Sequence, residues 1–206
     1  MLYNQFKDYF KDFLIFSLAD MRKAEPDFDR RRLNEWQDKG YIKKLRRGYY
    51  IFSDTSLNEE ALFLIANRLY PSSYVSLEMA LSYYGLIPEG VYSITSVSSK
   101  KTARFKTPIA DFVYRKIKPE LLFGYRLGEY NGQGYKIAEA EKAVLDYLYL
   151  NPKITDAEDF YEWRFNSQEF LAMTEEKKLF EYADAFGDKR FIDRVKIFLK
   201  FVKLAN

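Results

Sequence analysis

Cysteine and histidine are both absent from the 206-residue sequence. Their absence excludes disulfides, thiol nucleophiles, Ser-His-Asp triads, zinc fingers and imidazole metal sites, because each of these needs one of the two side chains. Apolar runs of the ~20 residues that cross a bilayer are absent too, and the first residues lack the basic-then-apolar order of a signal peptide. We therefore expect a cytoplasmic protein without a membrane partner, a metal or another cofactor.

Charge of one sign is not in large excess, since 33 basic residues face 30 acidic ones for a net charge of +3. The basic residues are nevertheless unevenly distributed. Residues 39–47 contain five bases and no acid, and residues 100–118 contain seven bases and one acid. Each of these two basic segments forms a local positive patch that could attract an anionic partner.

Residues 1–54 show the pattern of three helices followed by a β-hairpin. Apolar residues recur at helical spacing over residues 2–14, and Ser17 is placed to cap a helix over residues 18–23. A third helix, capped by Asp27 or Asp29, ends at Gly40. Two β-prone runs, 41–45 and 49–52, are joined by a tight turn. This order predicts an N-terminal winged helix-turn-helix DNA-binding domain.

The second helix of such a motif places its N-terminal residues against base edges, and the wing follows the phosphate backbone. Three consecutive arginines begin the predicted recognition helix, where the helix dipole disfavours positive charge, so they indicate an anionic partner. The alternative is an ordinary hairpin whose basic residues are exposed to solvent and bind no partner. We predict contacts with double-stranded DNA from the following residues: Arg30, Arg31, Arg32, Asn34 and Gln37 on the helix, and Lys43, Lys44, Arg46 and Arg47 on the wing.

Residues 55–206 predict a second, mixed domain with a small central sheet and a helical C-terminal part. Between residues 92 and 135 the apolar period is two and β-branched and aromatic residues are frequent, which is typical of strands. Helical spacing predicts helices over 57–70, 76–84, 138–150, 155–166, 167–171, 175–185 and 189–204. The chain as a whole is therefore expected to be an α+β protein.

Evidence for catalysis is weak in this sequence. Three acid pairs could hold magnesium or divide acid and base roles: Glu59 with Glu60, Glu139 with Glu141, and Glu175 with Glu176. Each pair lies on a predicted helix, where solvated acids are normal, and the sequence has no phosphate-binding GxxxxGK[ST] motif. We expect a protein that is not an enzyme, with a magnesium-dependent enzyme as a distant alternative.

The second basic segment has two interpretations of equal weight. It could form a second nucleic-acid surface, or its lysines could protect a sheet edge from pairing with another chain. The residues concerned are Lys100, Lys101, Arg104, Lys106, Arg115 and Lys116.

Four segments resemble a known family in order along the chain. They are YVSLEMALSYYGLIPE (74–89), YSITSV (92–97) with RFKTP (104–108), YRKIKP (114–119) with FGY (123–125), and AEKAVLD (140–146). These runs are similar to motifs of AbiEi-type antitoxins, from the AbiE (type IV) toxin-antitoxin systems of abortive infection. Ala140 stands where the family usually has proline. The resemblance spans residue 17 to about residue 150 and fades in the helical tail.

The resemblance implies a winged-helix domain that represses its own operon and a second domain with antitoxin activity. In the family the cognate toxin is a nucleotidyltransferase-like protein, which the antitoxin opposes without a stable complex. The alternative is an ordinary winged-helix transcriptional regulator whose second domain senses a ligand or mediates oligomerisation. Neither the patterns nor the resemblance predicts the operator or the oligomeric state.

Overall fold

The computed structural model describes residues 1–88 and 90–205 and places three helices and three short strands in the first 52 residues. Strands β2 and β3 form the predicted hairpin, and the unpredicted β1 pairs with β3, so the sheet order is β1-β3-β2. The bounds are α1 (Tyr3–Phe10), β1 (Phe16–Ser17), α2 (Leu18–Ala24), α3 (Arg31–Asp38), β2 (Ile42–Arg46) and β3 (Tyr49–Phe52).

Local signals fix the ends of these helices. Ser17 Oγ accepts a hydrogen bond from the Asp20 amide at 3.2 Å, and the Asp20 carboxylate accepts one from the Ser17 amide at 2.9 Å, so α2 begins in a capping box. Asp29, rather than Asp27, accepts from the Arg31 amide at 2.9 Å before α3. Helix α1 ends at Phe10, earlier than predicted, because residues 14–16 leave the helix to bury their side chains.

An aromatic core holds this N-terminal unit (residues 1–54) together. The Phe6 ring lies 4.6 Å from the Trp36 ring and 5.2 Å from the Phe16 ring, measured between centroids. Aromatic side chains bury large apolar areas, and edge-to-face pairs add further stability. The buried members are Phe6, Phe10, Phe16, Met21, Phe28, Leu33, Trp36, Ile42, Tyr50 and Phe52.

The second unit (residues 55–205) is a six-stranded mixed sheet with helices on both faces and a helical tail. Its strands lie in the order β6-β7-β5-β4-β9-β8. The bounds are α4 (Glu59–Leu69), β4 (Ser73–Val75), α5 (Leu77–Tyr83), β5 (Ser93–Ser98), β6 (Ala103–Lys106), β7 (Asp111–Lys116), a 3-10 turn (Pro119–Leu121), β8 (Tyr125–Tyr130), β9 (Gln133–Ala138), α6 (Ala140–Leu150), α7 (Ala157–Glu162), α8 (Ser167–Met173), α9 (Glu176–Asp184) and α10 (Lys189–Leu204).

The α+β class is confirmed, and the sheet is larger than the sequence predicted. The short strand β4 pairs antiparallel with β5 and parallel with β9, so it joins the two halves of the sheet. Helix α7 is shorter than predicted, because Arg164 adopts a left-handed φ of 51° and turns the chain. Glu89, the last residue of the first family-like motif, and Asn206 lie outside the described residues.

Strand β7 shows how helices cover both faces of the sheet. The Tyr114 hydroxyl donates to the Ala66 carbonyl of α4 at 2.8 Å on one face. The neighbouring Arg115 points to the other face, since successive residues of a strand alternate, and donates to the Leu150 carbonyl of α6 at 2.5 Å. Within the described ranges, no helix has both the length and the apolar character that a bilayer crossing requires.

The buried phenol of Tyr114 makes the protein sensitive to alkaline pH. Burial raises the pKa of Tyr114 well above its ordinary value, so the folded state keeps a proton that the unfolded chain loses above about pH 10. The resulting stability is fully present below that pH and is lost as pH rises further. We expect the free energy of unfolding in urea to fall by up to about 1.4 kcal/mol per pH unit for this residue.

The matched variant for that measurement is Tyr114→Phe. It loses the hydrogen bond to Ala66 at every pH but has no phenol to ionise. Its free energy of unfolding should therefore fall less steeply than that of the unmodified protein between pH 10 and 11. Equal slopes would contradict the assignment.

Candidate nucleic-acid interface

Helix α3 presents one apolar face to the core and one polar face to solvent. Leu33 and Trp36 are buried at 1% and 4% exposure, whereas Arg30, Arg31 and Asn34 are exposed. Within residues 1–88 and 90–205, the side chains of these three exposed residues form no hydrogen bond or ion pair. They are the helix residues that remain available to an external partner.

Two other predicted contact residues of α3 are engaged inside the unit. The Arg32 guanidinium donates to the Met1 carbonyl, and one of its nitrogens lies 3.9 Å from a Glu25 carboxylate oxygen. Gln37 Nε2 donates to the Leu33 carbonyl at 2.9 Å, one turn earlier. Both side chains are half-buried, so they are less accessible to DNA than Arg30, Arg31 and Asn34.

Acidic residues limit the exposed face of α3 to its first two turns. Glu35 binds Lys39 through a 2.6 Å hydrogen bond, which raises the pKa of Lys39 and keeps that base charged. Asp38 is exposed and would repel a phosphate backbone. The region that suits an anion therefore begins at Arg30 and ends at Asn34.

The hairpin adds two free bases next to a glycine turn. Lys44 and Arg47 are exposed, and neither side chain has a protein partner in the part of the chain that the structure describes. Gly48 adopts a φ of +86°, a value that favours glycine, so the turn after Arg47 depends on it. Lys43 is half-buried and its Nζ lies 3.4 Å from the Ser53 carbonyl, which leaves it a weaker candidate.

Arg46 was predicted to contact phosphate, but the structure uses it to join the two units. Its Nη1 donates to the Leu69 carbonyl at the end of α4 at 2.7 Å. Its guanidinium lies over two rings, 4.7 Å from the centroid of Phe105 and 5.2 Å from that of Tyr49. These contacts leave Arg46 half-buried, so it is less accessible to a phosphate than the exposed Arg47.

The neighbours Arg46 and Arg47 should therefore behave in opposite ways when each is replaced by alanine. Arg46→Ala removes a charged hydrogen bond and a stacked guanidinium, so we expect a loss of about 1–3 kcal/mol in the free energy of unfolding. Arg47→Ala should change stability by less than about 0.5 kcal/mol. Urea denaturation of the two variants measures both values, and equal losses would contradict the role given to Arg46.

The second basic segment lies at the β6 edge of the sheet, next to the hairpin. Phe105, which contacts Arg46, sits in β6 between Arg104 and Lys106. The segment thus meets the first basic segment in space, although the two lie far apart in the sequence. We call five of its exposed bases the β6 edge surface: Lys100, Lys101, Arg104, Lys106 and Lys116.

The bases of the second basic segment differ in how many internal contacts their side chains make. Arg104 binds Asp111 at 2.5 Å, and Lys100 Nζ lies 5.4 Å from the Tyr70 ring centroid. Arg115 does not belong to the surface, because its guanidinium donates to Asn151 Oδ1 at 3.1 Å as well as to the Leu150 carbonyl. Of the six predicted bases, it is the one that is half-buried and not exposed. Both interpretations of the segment stay open, since β6 is also a free sheet edge.

The acid pair Glu139 and Glu141 is already neutralised within the fold. Lys178 Nζ lies 3.2 Å from a Glu139 oxygen and 3.6 Å from a Glu141 oxygen. The Tyr182 hydroxyl donates to Glu139 at 2.6 Å, and burial together with this bond raises the pKa of Tyr182. In the described ranges no three acidic side chains are grouped as metal ligands would be.

Sequence reasoning missed a buried polar network in the second unit. It consists of Lys142 and Asp146 of α6 with Tyr74 of β4 and Ser76, all almost inaccessible to solvent. The signal that could have revealed it is a base and an acid four residues apart on a mostly apolar helix. Such a pair lies on one helix face, and here that face is inside the protein.

No family model matches the sequence, and no curated protein matches it either. The likeness to AbiEi-type antitoxins therefore depends on the four quoted segments alone. In the structure these segments supply β4, α5, β5, β6, β7 and the first half of α6, which form the centre of the second unit.

Proposed function

We propose that this protein is an antitoxin and transcriptional autorepressor of a type IV toxin-antitoxin operon. Its N-terminal unit would act as a winged helix that binds promoter DNA, and its second unit would oppose a nucleotidyltransferase-like toxin in the cytoplasm. The observation that carries the DNA half is the exposed face of α3, where Arg30, Arg31 and Asn34 have no partner in the described chain. Arg32 and Arg46, by contrast, are held by internal hydrogen bonds.

The chemistry of these free groups suits the major groove. An arginine guanidinium binds guanine O6 and N7 through two hydrogen bonds, and an asparagine amide does the same with adenine. The eight-residue α3 would bring these groups to base edges from its N-terminal half. Lys44 and Arg47 on the hairpin would contact phosphates, which fix the register of the protein on the duplex.

Binding of the full-length protein to its own upstream DNA tests the first half of the proposal. We expect tight, sequence-selective binding that weakens steeply as salt is raised, because each neutralised phosphate releases condensed cations. The slope of affinity against salt counts the phosphate contacts. Weak binding of equal strength to unrelated DNA would contradict sequence-specific repression.

The antitoxin half is supported by the four family-like segments and by the free bases beside them. Lys101 and Lys106 of the β6 edge surface are exposed, and their side chains have no partner in the described ranges. A basic surface of this kind fits a partner or substrate of negative charge.

Co-expression with the toxin tests the antitoxin half. Full-length protein should restore growth, and charge reversal at Lys101 and Lys106 should abolish most of that rescue while promoter binding and thermal stability are retained. Matched reversal at Lys189 and Lys200, two exposed lysines of α10, should rescue as well as the unmodified chain. If the first variant also rescues fully, the β6 edge surface serves only to protect a sheet edge.

An open groove beside α10, described below, favours the alternative of an ordinary winged-helix regulator that senses a ligand. The two proposals predict different genes next to the gene that encodes this protein. A nucleotidyltransferase-like gene directly downstream supports the antitoxin, and its absence supports the regulator.

A further inference from the structure

A groove of about 610 Å³ lies between the end of α6 and the first three turns of α10. This volume falls within the range of ~300–1,000 Å³ that is common for small-molecule sites. Tyr149 and Pro152 form one wall, and Phe191 and Ile197 contribute apolar surface from α10. Ile197 is 49% exposed, which is high for a branched apolar side chain beside a cavity.

Two arginines line the same groove and have donors to spare. The Arg194 guanidinium uses Nη2 to bind the Leu148 carbonyl at 2.6 Å, and its Nε is buried without an acceptor, so in the described chain it is Nη1 that is left to meet a ligand. The Phe191 ring lies 5.4 Å from this guanidinium and holds it in place. Arg190 is exposed, and its side chain has no partner within residues 1–88 and 90–205.

The two acidic side chains of the groove already bind other groups of the protein. Asp188 Oδ1 accepts from the amides of Arg190 and Phe191 at 2.9 and 3.3 Å, so it caps α10 and occupies the helix N-terminus. Asp193 binds Lys196 Nζ at 3.1 Å. Asp188 reduces the positive potential at Arg194, but the uncommitted donors of the groove belong to the two arginines.

We propose that this groove binds a nucleoside monophosphate. Its phosphate would lie between Arg190 and Arg194, because guanidinium groups bind phosphate oxygens through paired, charge-assisted hydrogen bonds. Its planar base would pack against Tyr149 and Ile197. A bare phosphate would leave the apolar half of the groove empty, and an uncharged nucleoside would leave both arginines unmatched.

Calorimetric titration of the full-length protein with AMP, in the absence of DNA, tests this site. We expect AMP to bind, and adenosine and inorganic phosphate each to bind at least tenfold more weakly. At a hundredfold excess over its dissociation constant, AMP should raise the melting temperature by about 5–10 °C. Absence of AMP binding at millimolar concentration, or equal binding of phosphate, would overturn the proposal.

Arg190→Ala and Lys189→Ala form a matched pair of variants. Both residues are exposed bases in the first turn of α10, but only Arg190 lines the groove. The arginine variant should lose about tenfold or more in AMP affinity, and the lysine variant should stay within twofold. An unchanged affinity in Arg190→Ala would place AMP elsewhere. Because neither variant touches α3, the result is independent of promoter binding.

Discussion

Replacement of Asp146 by alanine is expected to lower the free energy of unfolding by about 3–5 kcal/mol. The variant leaves the ammonium of Lys142 in a fully buried position with no opposite charge. Small proteins are stabilised by only about 5–15 kcal/mol in total, so this loss is a large share. It corresponds to a fall of roughly 6–20 °C in melting temperature for a chain of this size.

The geometry of the buried polar network explains the size of this effect. Asp146 Oδ2 accepts hydrogen bonds from the Ser76 and Tyr74 hydroxyls, each at 2.8 Å, and Oδ1 accepts from Lys142. Lys142 Nζ also donates to the Tyr74 oxygen at 2.7 Å. Burial lowers the pKa of Lys142, an effect that Asp146 opposes, and burial raises the pKa of Tyr74, which keeps its hydroxyl protonated as a donor.

Two comparisons separate this explanation from a general sensitivity of the fold. Glu181→Ala breaks an exposed pair of the same spacing, Lys177 with Glu181, and should cost less than about 0.5 kcal/mol. The double variant Lys142→Met with Asp146→Leu removes both charges, so it should be more stable than Asp146→Ala alone. Urea denaturation measures all three, and a loss in Asp146→Ala as small as that in Glu181→Ala would refute the role of the buried pair.

The second prediction with a large expected effect concerns the affinity for promoter DNA. Joint replacement of Arg30 and Arg31 by alanine should lower promoter affinity by about thirtyfold or more, since contacts of this kind are each worth about 1–3 kcal/mol. The salt dependence should also become shallower by up to about two phosphate contacts. Thermal stability should hold or rise slightly, because the variant removes positive charge from a helix N-terminus.

Fluorescence anisotropy with labelled promoter DNA over a salt series measures this effect. The matched control is joint replacement of Lys196 and Lys200, which removes the same charge from α10 at the other end of the chain. If the control loses as much affinity as the arginine variant, the effect is one of net charge. Unchanged affinity in the arginine variant would remove α3 from the interface.

Elements with local signals were predictable from the sequence, and elements without them were not. Ser17 and Gly40 mark helix ends by their own chemistry, and Asn131-Gly132 marks the β8–β9 turn with two positive φ values. Strand β4 is three residues long, too short for a period to show. It is a strand because β5 and β9 pair with it, and those partners come later in the chain.

The same distinction applies to the candidate interface. Helical spacing anchored on Leu33 and Trp36 was enough to predict that Arg31 and Asn34 face outward. No local pattern distinguishes Arg46 from Arg47, since the partners that occupy Arg46 belong to α4 and β6. Where a side chain of one unit contacts the other unit, the sequence shows that the residue is charged but not which residues it contacts.

The hairpin sheet has a second buried face, and it is covered by the other unit. Leu45 and Ile51, together with Leu14 and Ile15, belong to the hydrophobic cluster of residues 55–205 and not to the aromatic core of the first unit. A fragment of residues 1–54 would therefore expose this apolar surface to solvent and aggregate. For protein engineering, the N-terminal unit cannot be grafted onto another scaffold unless that surface is first redesigned with polar side chains.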